Sequence, residues 1–241
     1  DYNPYVKLYV AYAVVFSRMK KTKKSNMCYN KVIDRAESKK DSMTIIPILI
    51  NTANDFMVNK NYDNAEKQCD KALKFSVKNK EEIYKPYIYH TLGQIYSKND
   101  KYEKSNNYLD QALAGFKKMN TVKMISKVLY DIGCNFHQQK KYNEAIVIFN
   151  EVLEESKKVN NYDLEVLALK SLSSIYKSKK DKVLFSSSIN SLNKVLERQI
   201  KNKEKVFSET NLNALKYLSD EIDLSLRNDK NLKLKIELES N

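Results

Sequence analysis

Very little in this sequence breaks a chain. Its 241 residues include three glycines, three prolines and no tryptophan. A sheet protein of this length needs far more turn residues, so an all-β fold is excluded and long helices are expected. The three cysteines, Cys28, Cys69 and Cys134, are scattered and odd in number. They form no disulfide framework, which points to a reducing, cytoplasmic setting. No run is long and apolar enough to span a membrane, and no signal peptide is visible. No membrane partner is expected.

Reactive chemistry is scarce too. There is no glycine-rich phosphate loop, nucleophile elbow, HExxH or CxxC. The histidines are two, His90 and His137, and His137 stands three residues after Cys134 on one helix face. A metal site would need a second local pair of ligands, so these read as ordinary lining residues. Paired carboxylates such as Glu154 and Glu155 fit a solvated face. No catalytic residue, metal or cofactor is expected.

Acidic charge is in deficit, and the formal net charge is +13. Of the 43 basic residues only Arg18, Arg35, Arg198 and Arg227 are arginine. Lysine is a hydrated point charge without the planar fork used to read bases. The lysines spread over the whole chain, apart from a cluster at Arg18, Lys20, Lys21, Lys23 and Lys24. With no recognition-helix pattern, this segment is not expected to bind DNA itself.

What the chain does have is a repeat. In residues 84–119, Tyr89, Leu92, Gly93 and Tyr96 fall at helical spacing, a polar turn follows, and Tyr102, Ser105, Leu109, Ala112 and Leu113 make a second stripe. Steps of forty from Gly93 reach Ala13, Ala53, Gly133 and Ser173, all small. Three positions on stand Phe16, Phe56, Tyr96, Phe136 and Tyr176, all aromatic. The turn aromatic recurs as Tyr62, Tyr102 and Tyr142, and the late pair as Ala72-Leu73, Ala112-Leu113 and Val152-Leu153. Gly93 and Ala112 are expected where the two helices approach closely. Columns held in phase over five units mark a helical-hairpin solenoid. Leu92-Gly93, Tyr96, Tyr102 and Ala112-Leu113 follow the tetratricopeptide (TPR) letter pattern, although the step exceeds the usual one of about 34.

The fold expected is all-α, a right-handed TPR-type solenoid of about five repeats over residues 1–202. Residues 203–241 are expected to form a C-terminal capping or dimerisation helix and tail. Helices are expected near 5–19, 25–39, 44–58, 62–78, 83–98, 102–118, 122–138, 142–158, 162–178 and 184–200. Pro47 and Pro86 are placed early in their helices, where a missing N–H does least harm. A further amphipathic helix is expected over 204–226, either as a homodimer contact or as a cap on the last hairpin. The alternating tail, 232–238, reads as a helical or frayed end. The opening Asp1-Tyr2-Asn3-Pro4 without Met, and a repeat in phase by Ala13, suggest a piece of a longer protein.

First helices of stacked hairpins line a concave surface. The residues expected there include Asn51, Asn54, Tyr87, His90, Gln94, Lys127, Tyr130, Asp131, His137 and Lys170. Amides pair with an extended peptide's backbone, and lysines take carboxylates.

The forty-residue step, the degenerate last unit, the aromatic column and the Lys/Asn-rich composition resemble the TPR peptide-pheromone receptors of low-GC Gram-positive bacteria, the Rap, Rgg, NprR, PlcR and PrgX group. The resemblance implies an intracellular quorum-sensing regulator that binds a short signalling peptide in its groove, with groove asparagines holding the peptide backbone. Asn54 is the position matched to that role, and Asn51 a weaker match. Transcriptional members carry a helix-turn-helix domain before the solenoid, so DNA would be reached only through a domain absent from this sequence. Alternatives are a generic TPR scaffold for another protein, and a Rap-like response-regulator phosphatase or inhibitor.

Overall fold

The computed structural model describes residues 2–206. Within them the chain is an all-α solenoid of helical hairpins. First helices are α1 (Tyr2–Arg18), α3 (Ser42–Val58), α5 (Lys85–Lys98), α7 (Val122–Gln138) and α9 (Tyr162–Ser178). Second helices are α2 (Thr22–Ser38), α4 (Tyr62–Lys78), α6 (Tyr102–Lys118) and α8 (Tyr142–Lys158), and residues 182–206 are helical as α10. A 3-10 turn, Glu82–Tyr84, leads into α5. The chain divides into two compact units, Asp1–Ile189 and Asn190–Asn241. The first holds the hairpins up to the start of α10. The described part of the second, residues 190–206, is helical.

The forty-residue repeat contains a twenty-residue one. Each of α1–α9 is followed, two positions past its last residue, by a residue with positive φ, at Lys20, Lys40, Lys60, Lys80, Asp100, Asn120, Lys140, Asn160 and Lys180. Each time the next N–H reaches back to the last turn, as in Lys101 N to Tyr96 O at 2.9 Å and Lys141 N to Phe136 O at 2.9 Å. This is a Schellman cap, which satisfies the terminal carbonyls and turns the chain by a fixed angle. Here the left-handed residue is lysine, asparagine or aspartate and never glycine. The following helices open on side-chain caps in several cases: Asp41 accepts from Thr44 N at 3.0 Å and Asn161 from Leu164 N at 3.3 Å.

Within a hairpin the small residue of the first helix receives a large one from the second. A Cβ added to Gly93 would lie 2.6 Å from Leu109 Cγ, and one on Gly133 would lie 2.7 Å from Phe149 Cε1. The close approach at Gly93 is thus made by Leu109, and Ala112 is fully buried in the same core. Gly115 faces the Pro86 ring, at 2.4 Å from an added Cβ. Buried Ile88, Leu92, Ile95, Leu109, Phe116, Leu129 and Phe149 continue the core from hairpin to hairpin. Each such side chain contributes about 1.5–3 kcal/mol on burial.

Two interfaces between hairpins carry a polar latch, eighty residues apart. Asp55 accepts hydrogen bonds from Ser17 and, at 2.6 Å, from Ser25. Asn135 meets Ser97 at 2.6 Å and Ser105 at 2.8 Å in the same register. At the interface between these two, and at the one after Asn135, the equivalent residues are Ile95 and Ile175, both fully buried.

Several expectations need correction. The first helix begins at Tyr2 and ends at Arg18, ahead of the expected 5–19, because Lys20 already sits in the capping turn. Pro47 lies inside α3, well past its first turn. It cannot bond Met43 O, and Tyr84 Oη donates to that carbonyl at 3.4 Å instead. The last helix continues through residue 206 without the break expected after 200. The rest of the expected 204–226 helix and the 232–238 tail lie outside the described residues.

Candidate functional site

First helices pack directly on one another, α3 on α5, α5 on α7 and α7 on α9. No pair of second helices packs comparably among the described residues. The tighter row is the inner side of this unit. On α3, α5 and α7 the stripe on this inner side falls at five positions, forty residues apart from one helix to the next. In α3 these are Pro47, Ile50, Asn51, Asn54 and Val58. In α5 they are Tyr87, His90, Thr91, Gln94 and Lys98. In α7 they are Lys127, Tyr130, Asp131, Cys134 and Gln138. In α9 Lys170, Ser171 and Ser174 continue the stripe.

The structure brings the middle of this stripe together as a bonded cluster. His90 Nε2 lies 2.8 Å from Asp131 Oδ2, and Gln94 Nε2 donates to the same oxygen at 2.8 Å. His90 is buried, with its ring edge-on to Phe116, as is Tyr87 at 4.8 Å between centroids. One turn on, the Tyr130 hydroxyl lies within hydrogen-bonding reach of Ser171 and Cys134. Burial pushes the Tyr130 hydroxyl up to about 12 and the Cys134 thiol up to about 11, so both are protonated at neutral pH. The Lys98 ammonium is close enough to Cys134 to oppose that rise.

The remaining expected residues divide. Asn51 and Asn54 are half-buried and make no side-chain hydrogen bond among the described residues. Their amides are open to a ligand, whereas that of Gln94 is committed to Asp131. Lys127 and Lys170 are exposed, as is Lys98, and none is ion-paired among the described residues. His137 sits off the stripe beside the Tyr142 ring, 6.0 Å away, where burial lowers its pKa. Ser171 was missed by sequence reasoning, because a lone serine between Lys170 and Leu172 carries no periodic signal.

The inner face is therefore basic at its rim and amide-lined at its floor. Among its described residues Asp131 is the carboxylate, and it is already bonded twice. The arrangement offers backbone-type hydrogen bonds and uncompensated positive charge. No group of three or more His, Cys, Asp or Glu suited to a metal stands among the described residues. No described helix is long and apolar enough to cross a membrane.

A tetratricopeptide repeat family model matches residues 86–114 and 126–158, the hairpins around this cluster. The chain carries TPR repeats. No curated protein matches the sequence significantly. Among solved structures, BtubC from P. vanneervenii is similar at a TM-score of 0.71 and 18% identity, over 80% of each chain. A Rap protein complexed with Competence and Sporulation Factor is similar at 0.65 and 13% identity, over 81% of this chain and 55% of that one. Aspartyl phosphate phosphatase F from Bacillus subtilis is similar at 0.63 and 14% identity, over 81% and 60%. At such identities these likenesses show the TPR-solenoid fold, shared with Rap proteins. This chain spans little more than half the length of those two Rap-type structures.

Proposed function

We propose that the inner face is a receptor groove for a short, extended, net-acidic signalling peptide, and that the chain is the sensor part of an intracellular quorum-sensing regulator. The observation that carries this reading is the pairing of uncommitted amides, Asn51 and Asn54, with unpaired Lys98, Lys127 and Lys170 on one stripe. An amide donates to a peptide C=O and accepts from a peptide N–H, and the lysines supply attraction for side-chain or terminal carboxylates. The bonded His90–Gln94–Asp131 cluster holds α5 and α7 at fixed spacing, so the groove is preorganised. The Rap protein solved with Competence and Sporulation Factor gives the precedent of a signalling-factor complex on a similar fold. In this reading the chain works in the cytoplasm as a homodimer, and DNA is contacted through another domain.

The test is selection of a random heptapeptide library on the full chain, followed by calorimetry. Saturable binding of acid-rich sequences, weakened by salt, supports the reading; no saturable peptide binding removes it.

A second reading, a scaffold for a folded partner protein, rests on the outer side. A crevice of about 510 Å³ opens between α2 and α4, floored by Leu49, Thr52 and Phe56 with Asn30 and Gln68 at its rim. A stable protein complex that survives loss of Asn54 favours this reading.

A further inference from the structure

Helix α1 and its C-cap expose an apolar stripe, and its first three positions are buried in every later first helix. Leu8 is 50% exposed, Tyr12 49%, Val15 52% and Met19 53%. Their spacing of four, three and four keeps them on one face. Forty residues on, the equivalents of the first three are Ile48, Thr52 and Asp55; then come Ile88, Leu92 and Ile95. All six are at most 8% exposed. In α7 Val128, Ile132 and Asn135, and in α9 Ala168, Leu172 and Ile175, are buried as well. This column is where each first helix seats on the hairpin before it. Asp55 bonds back to Ser17 and Ser25 of that hairpin, and Asn135 to Ser97 and Ser105. The position of Met19 does the same in later repeats: Asn59 Nδ2 donates to Thr22 Oγ1 at 2.7 Å, and Lys179 Nζ to Asn143 Oδ1 at 2.8 Å.

The residue in the latch position also says what kind of surface fits. In chain order the column reads Val15, Asp55, Ile95, Asn135, Ile175. Polar and apolar members alternate, and Val15 belongs with Ile95 and Ile175. Ile95 shares its core cluster with Ala65 and Met57 of the preceding hairpin, with no serine pair to satisfy.

We propose that the Leu8–Tyr12–Val15–Met19 face of α1 is a docking surface for a helical hairpin of this same repeat type, one that presents apolar residues where hairpin 2 carries Met57 and Ala65. The inference is continuity with the interfaces already seen within the first unit, and it is independent of the groove. Four half-exposed apolar side chains in one row exceed the scattered exposure usual for a surface helix.

The test joins a copy of residues 42–81 directly ahead of residue 2 in the full chain, which keeps the forty-residue step. A parallel fusion uses a copy of residues 2–41, which sets Ser17 and Ser25 against Val15. The expected result is a Tm raised by several degrees in the first fusion, clearly less in the second, with amide exchange in α1 slowed in the first. Val15→Glu in the first fusion removes the gain. Unchanged Tm and unchanged α1 exchange overturn the proposal, as do equal gains from both fusions. An unfused chain that sediments as a dimer, and becomes a monomer with Val15→Glu, also overturns it by assigning the face to a second copy.

Discussion

Asp55 and Asn135 occupy one place in two hairpins, and each ties its own first helix to two serines of the hairpin before it. Asn135 also donates to Asn106 Oδ1 at 2.7 Å. Asn135→Ala therefore takes the acceptor from the Ser97 hydroxyl and the donor from Asn106 Oδ1, while Ser105 keeps its own bond to Gly93 O. Leaving buried partners unsatisfied costs about 1–3 kcal/mol per group. The expected loss is about 2–4 kcal/mol, read as a lower midpoint in urea with little change in slope. A variant within 0.5 kcal/mol of the parent, on the order of a neutral surface change, would show that the latch contributes nothing.

Gly133→Ala tests the hairpin approach. The added Cβ meets the Phe149 ring at 2.7 Å, so the ring or the helix must move. Overpacking of this kind costs about 1–3 kcal/mol. Gly93→Leu, which forces a far larger group onto Leu109, is expected to abolish cooperative unfolding altogether. Circular-dichroism melts of the two variants measure both effects.

Lys140→Gly should stabilise. Lys140 holds φ at 59°, a left-handed conformation that costs an L-residue about 1–2 kcal/mol. Glycine removes that strain but gives back part of it as unfolded-state entropy. The net gain expected is up to about 1 kcal/mol, or a Tm higher by about 2–4 °C. A lower Tm contradicts the capping account.

Cys69 supplies the pH dependence. It is fully buried, and burial pushes its thiol up from an ordinary value near 9 to about 12. The native state keeps this proton longer than the unfolded chain. Its contribution is full below pH 9 and is lost as pH rises from there toward 12. Urea midpoints between pH 8 and pH 10.5 should fall in the parent and fall less in Cys69→Ala, measured relative to each protein's own value at pH 8. Iodoacetamide at pH 8 should label Cys69 only on unfolding.

Much of the fold is legible in the sequence because the repeat is strict. The expected helices 62–78, 102–118, 122–138, 142–158 and 162–178 coincide with α4 and α6–α9. Asn61 and Asn161 mark two of these starts as N-caps, and the small and aromatic columns fix their phase. The twenty-residue capping step is not legible in the sequence because lysine, asparagine or aspartate, and never glycine, fills the left-handed position. The eighty-residue alternation was hidden as well. Asp55 and Asn135 interrupt an apolar column, and only the serines of the neighbouring hairpin show why. Of the inner face, helical spacing places Asn51, Asn54, Tyr87, His90, Gln94, Lys127, Tyr130, Asp131 and Lys170 on one stripe but not His137, which stands beside Tyr142. It did not show that His90, Gln94 and Asp131 bond to one another, since that depends on the spacing between α5 and α7.

The central claim is that free amides and unpaired lysines on one stripe bind an acidic peptide. The decisive measurement is the calorimetric Kd of the selected peptide for the parent chain, for Asn54→Ala and for the Lys98/Lys127/Lys170→Gln triple variant. Losing the Asn54 amide removes two bonds of about 0.5–1.5 kcal/mol each, so binding should weaken about tenfold or more. The triple variant should weaken it further and flatten its salt dependence. Both variants should melt with the parent, since the four side chains lie off the core. Parent-like affinity in both variants contradicts the account.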